Sequence, residues 1–119
     1  MSLFSEYHEQ KKINTFCPIQ IITSAITLDG FLEDANSHLG NIQALTSDSK
    51  EKSAFQAFIN HSQHLTIHFN MAKMPMEINA KIQKVDWDVD GVLLHLQVQF
   101  VFNSTQEHEK LTNFLNSLW

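Results

Sequence analysis

The sequence predicts a mostly β domain with about six strands and two helices. Apolar and polar residues alternate through Met76–Trp87 and again through Val92–Phe102, on either side of an Asp-Gly turn. This pattern is the strongest short-range sign of a β-hairpin. Two other stretches, Asp48–Ser62 and Ser104–Leu118, carry apolar residues at helical spacing. Because one face of each hairpin arm is apolar, we expect the hairpin to form part of a barrel or sandwich wall.

The first half of the chain is expected to supply three strands. Alternation predicts strands over Phe16–Thr23, Ala25–Leu32 and Asn41–Leu45, with a turn-rich stretch over Glu33–Gly40 between the second and the third. Pro18 indicates an edge position or a strand start, since proline cannot donate to a ladder.

The other segments before the hairpin are simpler to assign. Phe4–Lys12 is polar and charged, and is expected to be a lead-in. Leu65–Phe69 returns to the two-residue period of a strand, and Met71–Pro75 connects that strand to the hairpin.

Both predicted helices begin with a capping signal. Asp48 is followed three residues later by Glu51, and Ser104 is followed by Glu107. Each helix then has an apolar stripe, and the stripe of the C-terminal helix should pack on the sheet, over the mouth of a barrel. These stripes are Phe55, Phe58 and Ile59 in the first helix, and Leu111, Phe114, Leu115 and Leu118 in the second.

Composition narrows the class of protein. The 119 residues suffice for one domain with a core, and the net charge is −5, with eight lysines and no arginine. A nucleic-acid-binding protein would carry a basic patch. The negative net charge therefore argues against nucleic acid as a partner. No apolar run is long enough to span a bilayer, and no signal peptide is recognisable. A single cysteine, Cys17, excludes an intrachain disulfide, and we expect a cytoplasmic protein.

Two patterns suggest metal sites, and neither is sufficient. Asp86–Gly91 matches the opening of a calcium-binding EF-hand loop, but Gln97 stands where the loop requires glutamate. His61, His64 and His68 suggest zinc, but the predicted helix ends before His68 and no further ligand lies nearby in sequence. We therefore expect no metal site.

Catalysis has little support in the sequence. Cys17 lies in a predicted strand, where a free cysteine is usually a small buried side chain. The three glycines form no phosphate-binding loop, and no serine lies in a nucleophile elbow. We expect a protein that is not an enzyme.

Several segments resemble the PilZ family of domains. Glu9–Ile21, a charged lead-in that runs into a Cys-Pro-Ile-x-Ile strand, resembles the opening of such a domain. Gly30–Ile42 resembles its Asp-x-Ser-x-x-Gly turn and the strand that follows. Ala80–Phe100 is similar to its late hairpin, and Leu111–Leu115 to its closing helix.

The resemblance implies a six-stranded antiparallel β-barrel with a C-terminal helix, to which Asp48–Ser62 adds an inserted short helix. It also implies that residues 1–12 are a lead-in and that residues 13–119 form a single PilZ-like domain. Members are bacterial, cytoplasmic and non-enzymatic, and typical ones bind cyclic di-GMP through an Arg-x-x-x-Arg lead-in and the Asp-x-Ser-x-x-Gly turn.

This chain departs from that motif. His8 and Lys12, or Tyr7 and Lys11, stand at the arginine spacing. In the turn, Asp34 fits the aspartate, Asn36 replaces the serine, and Gly40 comes one residue late. The ligand-binding candidates that the resemblance implies are Lys11, Lys12, Asp34, Asn36 and Gly40.

Arginine grips phosphate oxygens and guanine edges with a planar fork, whereas lysine is a point charge on a flexible stem. Losing one bidentate contact costs about 1–3 kcal/mol, which is roughly one to two decades in affinity. Family members without the motif act through protein contacts, commonly in pilus or flagellar systems.

The sequence leaves four functions open. The first is a degenerate PilZ-like regulatory domain that contacts an unknown protein and binds cyclic di-GMP weakly or not at all. The others are a functional cyclic di-GMP receptor, an unrelated small α+β interaction protein, and a metal-dependent enzyme that uses the histidines.

Overall fold

Six strands and two helices make up the described part of the chain. The computed structural model describes residues 13–46, 48–70, 76–88 and 92–117. In chain order its elements are β1 (Ile13–Ile22), β2 (Thr27–Ala35), β3 (Leu39–Leu45), α1 (Ser49–His61), β4 (His64–Phe69), β5 (Met76–Trp87), β6 (Leu93–Val101) and α2 (Thr105–Asn116).

The strands close into one antiparallel barrel in the order β1-β2-β3-β6-β5-β4. β1 pairs with β2 on one side and with β4 on the other, so Ile19 lies between Gly30 and Phe69. β3 pairs with β6, with Leu39 opposite Gln99. The predicted six-stranded antiparallel barrel with an inserted helix and a C-terminal helix is therefore confirmed.

Strand alternation builds the core. The even positions of β6 from Leu94 to Phe100 are buried and the odd ones are not, so apolar side chains point into the barrel and polar ones point out. The same rule fills the interior from the other strands. Its largest side chains are Phe69, Ile19, Ile21, Leu28, Leu32, Ile42, Ile67, Ile78, Leu94 and Leu96.

The two helices add the rest of the core. Asp48 caps α1 by accepting the Glu51 N–H at 2.9 Å, and Phe55 of this helix packs edge-on against Trp87 of β5. Ser104 caps α2, and the Phe114 ring of α2 lies edge-on to Phe69 with 5.5 Å between centroids. Leu111 and Leu115 are also buried, as the stripe predicts, and Leu118 lies outside the described residues. Neither helix of the described ranges combines the length and the apolar character needed to cross a bilayer.

The turn between β2 and β3 is tighter than the sequence suggests. The turn-rich stretch Glu33–Gly40 contains the turn, but β2 continues to Ala35 and β3 begins at Leu39, so only residues 36–38 lie between the strands. The polar residues of this stretch stay in the ladder because a bulge between Leu32 and Asp34 adjusts the register.

Pro18 is not on a free edge, because the barrel is closed and Pro18 pairs with Phe31 of β2. Its carbonyl accepts the Asn70 N–H at 3.3 Å, just past the end of the β1–β4 ladder, which starts at Ile19. The missing N–H of Pro18 points to the same side, where the ladder has ended. The predicted connector Met71–Pro75 and the turn residues 89–91 lie outside the described residues.

Candidate functional site

Asn36 forms the turn between β2 and β3. Its side-chain oxygen accepts the N–H groups of His38 and Leu39 at 2.8 and 2.7 Å, and its own N–H donates to the Leu39 carbonyl at 2.9 Å. The side chain is 5% exposed. This is an Asx-turn, in which asparagine imitates a backbone turn. The Asn36 oxygen is thus engaged inside the fold.

Asp34 lies on the outer wall beside this turn. It faces Asn41 across the β2–β3 ladder and accepts the Asn41 side-chain N–H at 2.7 Å. Its side chain is partly exposed. A carboxylate at this position presents oxygen acceptors and a negative charge to solvent.

Gly40 has a packing role. A Cβ at this position would lie 2.8 Å from Phe100 Cζ and 3.0 Å from Leu32 Cδ1, so the Phe100 ring occupies the space that a side chain would need. The Phe100 N–H also donates to the His38 carbonyl at 2.8 Å. The glycine therefore lets β6 and the turn approach each other closely.

A shallow groove of about 290 Å³ runs over the outer wall next to Asp34. Its side chains come from four adjacent strands, with Glu33 from β2, Asn41 from β3, His95 and Gln97 from β6, and Lys84 and Asp86 from β5. Lys84 pairs with Asp86 at 3.4 Å, and the Nδ1 of His95 lies 4.0 Å from the Glu33 carboxylate. The one ammonium among the described residues that line the groove thus has a carboxylate beside it.

The groove was missed at the sequence level. Its residues are distant in sequence and meet only through the β3–β6 and β5–β6 registers. The outward position of His95 and Gln97 could be read from alternation. The bulge between Ile82 and Lys84, which brings Lys84 opposite Gln97, has no clear sequence signal.

The lysine pair Lys11–Lys12 lies outside the described residues. The described chain starts at Ile13, which pairs with Ala35 between Asp34 and Asn36. The three predicted turn residues are therefore close together at one end of the barrel, and β1 starts beside them.

The structure separates the histidines proposed for zinc. His61 ends α1, while His64 and His68 lie on β4, and four residues of strand span about 13 Å. His68 faces Glu77 with its Nδ1 at 3.4 Å from the carboxylate, without a hydrogen bond between them. Within residues 13–46, 48–70, 76–88 and 92–117, no group of three metal-ligating side chains converges.

Asp88 has a structural task in the segment that resembled a calcium loop. Its carboxylate accepts the N–H groups of Val92 and Leu93 at 3.1 and 3.2 Å, which ties the end of β5 to the start of β6.

Cys17 is 4% exposed in the core, and burial raises the pKa of its thiol, which makes it a weak nucleophile.

A histidine pair links the turn to the C-terminal helix. The rings of His38 and His108 stack with 5.5 Å between centroids, and His108 also meets the Phe102 ring at 4.9 Å. Burial, and then the neighbouring His108, lower the pKa of His38. Sequence reasoning did not predict this pair, because its members are seventy residues apart and meet only through the pairing of β3 with β6.

No family profile matches this sequence, and no curated protein matches it. Solved structures do match it. The PilZ domain of CeSA from a cellulose-synthesizing bacterium aligns with a TM-score of 0.65 and 11% identity, over 92% of this chain and 98% of that one. The PilZ domain of Escherichia coli YcgR, solved with cyclic di-GMP, aligns with a TM-score of 0.64 and 16% identity, over 91% and 88%.

A third similar structure is the Bacillus subtilis inhibitor of motility MotI, with a TM-score of 0.59 and 7% identity, over 89% of this chain. This chain spans about half of that protein, 48% of its length. The alignments cover about nine tenths of this chain, while the identities are too low to carry residue roles across. The chain has the fold of a PilZ-like domain.

Proposed function

We propose that this chain is a non-enzymatic bacterial regulatory domain that acts through contact with another protein, with weak or no binding of cyclic di-GMP. The observation that carries the proposal is the engagement of the turn residues inside the fold. Asn36 closes the turn with its side-chain oxygen, and Gly40 makes room for Phe100.

The negative charge of the wall beside the turn also supports weak or no binding of cyclic di-GMP. Glu33, Asp34 and Asp86 lie along the groove or beside it, and Lys84 is paired with one of them. Cyclic di-GMP carries two phosphates, so this wall would repel it rather than attract it. The chain also contains no arginine to grip phosphate or guanine.

Isothermal titration with cyclic di-GMP tests the proposal directly. We expect no saturable heat, which corresponds to a Kd weaker than about 100 µM. The PilZ domain of YcgR, titrated in the same buffer, is the positive control. A Kd of a few micromolar or tighter for this chain would overturn the proposal.

A functional receptor is the second candidate, and two observations favour it. YcgR and the Borreliella burgdorferi PlzA protein, both similar in fold, were solved with cyclic di-GMP. In addition, β1 begins beside Asp34 and Asn36, directly after the lysine pair in sequence. In this case Lys12→Ala should abolish a measurable affinity, while Lys110→Ala on α2 should leave it unchanged. An undetectable affinity of the wild-type chain ends this candidate.

The remaining two hypotheses have less support. An open sheet would favour an unrelated interaction protein, but the sheet of this chain closes into a barrel. A zinc enzyme would need the histidines together, and His64 and His68 are about 13 Å apart along β4. Elemental analysis of the purified protein for zinc tests the enzyme hypothesis, which predicts about one zinc ion per chain.

A further inference from the structure

One side of the barrel wall carries exposed apolar side chains. Phe16 is 70% exposed, Leu45 59%, Phe31 50% and Val92 46%. Barrel register brings Phe31 and Leu45 beside further apolar residues of the outer wall. Pro18 lies opposite Phe31, and Leu45 lies opposite Leu93. We call the set Phe16, Pro18, Phe31, Leu45, Val92 and Leu93 the apolar wall patch. Contiguous exposed apolar residues of this kind mark interaction sites.

The patch contains a pocket of about 200 Å³, lined by Asp29, Gly30, Phe31, Gln43, Leu45 and Leu93. Sites for small molecules usually measure about 300–1,000 Å³, so this pocket suits a single side chain. Gly30 allows β2 and β3 to approach closely at this pocket, since a Cβ there would lie 2.5 Å from the Gln43 carbonyl oxygen.

The backbone at Phe16 is strained in a way that exposes its ring. Its φ is 43°, in the left-handed region that bulky residues avoid, within the bulge between Asn14 and Cys17. The Thr15 hydroxyl fixes the bulge by donating to the Leu32 carbonyl. Strain of this kind costs of order 1–3 kcal/mol and is found where it has a use. Here it directs an aromatic ring to solvent at the end of the patch.

Carboxylates surround the patch. Asp29 lines the pocket, and Glu33 follows Phe31 on the same outer face of β2. The Asp88 carboxylate accepts hydrogen bonds from the Val92 and Leu93 N–H groups. Asp86 lies opposite His95, which is two residues along β6 from Leu93.

Two lysines of this region each contact another side chain of the chain. Lys84 pairs with Asp86, and the Lys52 ammonium sits 5.1 Å from the centre of the Trp87 ring. The four carboxylates of Asp29, Glu33, Asp86 and Asp88 outnumber these two lysines, so the surroundings of the patch are acidic, which favours a cationic partner.

A closed barrel also restricts the form of the partner. β2 and β3 are paired on both sides along the patch, so an extended peptide could not add to them as a strand. A helix satisfies its own backbone hydrogen bonds and reaches the wall through side chains alone. A second copy of this chain would bring the same carboxylates face to face, which is unfavourable.

We propose that the apolar wall patch docks a basic amphipathic helix of a partner protein, with one large apolar side chain in the Asp29–Leu45–Leu93 pocket and lysines or arginines beside the surrounding carboxylates. The proposal rests on the proposed function, because it names the surface through which the regulatory contact is made.

A synthetic helix supplies the test. The probe is a fluorescein-labelled amphipathic Leu/Lys peptide, titrated with the full chain and read by anisotropy. A Leu/Glu peptide of the same length and leucine pattern is the control for charge. We expect the Leu/Lys peptide to bind and the Leu/Glu peptide to bind at least about tenfold more weakly.

Leu45→Glu separates docking on the patch from general attraction to an acidic protein. The added carboxylate should tighten binding if attraction alone acts, whereas loss of the apolar contact should weaken it about tenfold if the patch is the site. Leu45 is exposed, so the variant should fold. Gln106→Glu on α2 adds the same charge at another exposed position and should not weaken binding.

Binding of the Leu/Lys peptide that is unchanged or tighter in Leu45→Glu would overturn the proposal. So would a dimer of the peptide-free chain, seen by sedimentation and lost in Leu45→Glu, since the patch would then belong to a second copy. Titration with cyclic di-GMP decides the proposed function separately, because it does not involve Leu45.

Discussion

Asn36 shows how one side chain is committed to the backbone around it. Its oxygen accepts two N–H groups while the residue is almost wholly buried. A serine hydroxyl makes such turns more weakly, so asparagine at this position favours the turn. The same turn positions the His38 carbonyl to accept a hydrogen bond from the Phe100 N–H.

Replacement of Asn36 should therefore destabilise the fold. We expect Asn36→Ala to lower the free energy of unfolding by about 1–3 kcal/mol, since one buried and one partly buried donor lose their acceptor. Asn36→Asp keeps an acceptor and should lose less. Urea denaturation followed by circular dichroism measures both, with the exposed Asn113→Ala as control. Equal stability of Asn36→Ala and wild type would contradict the assignment.

Gly40→Ala tests the packing role of the glycine. The new methyl group would meet the Phe100 ring at 2.8 Å, and overpacking of this kind costs about 1–3 kcal/mol. In the double variant Gly40→Ala/Phe100→Leu, the smaller side chain at position 100 leaves room for the new methyl group. The loss of stability should therefore be smaller than the sum of the two single losses. Thermal denaturation of the single and double variants gives the coupling. Strict additivity would show that the two residues do not compete for space.

The stacked histidines predict how stability depends on pH. The pKa of His38 is lowered in the folded state, by burial first and then by His108. The unfolded chain therefore takes up this proton first, so stability is complete above the ordinary pKa of 6.5 and falls as the pH drops below it.

Urea midpoints between pH 7.5 and pH 5 measure this slope. We expect His38→Gln to flatten it, and the exposed His61→Gln to leave it unchanged. A slope in His38→Gln as steep as in wild type would assign the effect to other groups.

At the scale of elements, the clearest sequence signals identified the right structures. The caps at Asp48 and Ser104 begin α1 and α2, and the alternation around the Asp-Gly turn produced β5 and β6. These signals are local, because a cap or a two-residue period is set by neighbours in sequence. The turn within Glu33–Gly40 is shorter than its polar sequence suggests, because a bulge between Leu32 and Asp34 keeps residues of this stretch in the ladder.

The cap of α2 gives a prediction at this scale. The Ser104 hydroxyl accepts the Glu107 N–H at 3.3 Å, and the Glu107 carboxylate accepts the Asn103 N–H at 2.8 Å. Ser104→Ala should cost about 0.5–2 kcal/mol of stability. Chemical denaturation measures the change, with Ser53→Ala in the body of α1 as the matched control. A loss no larger than that of Ser53→Ala would mean that the cap contributes little.

For the whole molecule, barrel and helix share one core. Phe114 of α2 lies against Phe69 of β4, and both are buried. Phe114→Ala should therefore cost about 3–5 kcal/mol. Far-ultraviolet and near-ultraviolet circular dichroism should report one shared transition. A separate early transition of α2 would show that the helix is not part of the cooperative unit.

Sequence reasoning reached the global architecture but not the surface chemistry. The order of strands and helices follows from periodicity and from likeness to a known family. The groove around Lys84 and the apolar wall patch depend on which strands become neighbours, and pairs such as Leu39 and Gln99 are set by closure of the barrel. Of the binding candidates, Asp34, Asn36 and Gly40 lie together, and the role of Lys11 and Lys12 stays a prediction.

Closure of the barrel by β1 also fixes the order of events during synthesis. Ile19 pairs with Phe69, fifty residues later in the chain, so β1 leaves the ribosome long before its second neighbour exists. At about 5–20 residues per second, that interval lasts roughly 3–10 s. Throughout it, the apolar faces of β1–β3 have no opposite wall to cover them. Apolar faces and strand edges exposed in this way make a nascent chain prone to aggregation until β4–β6 have been synthesised.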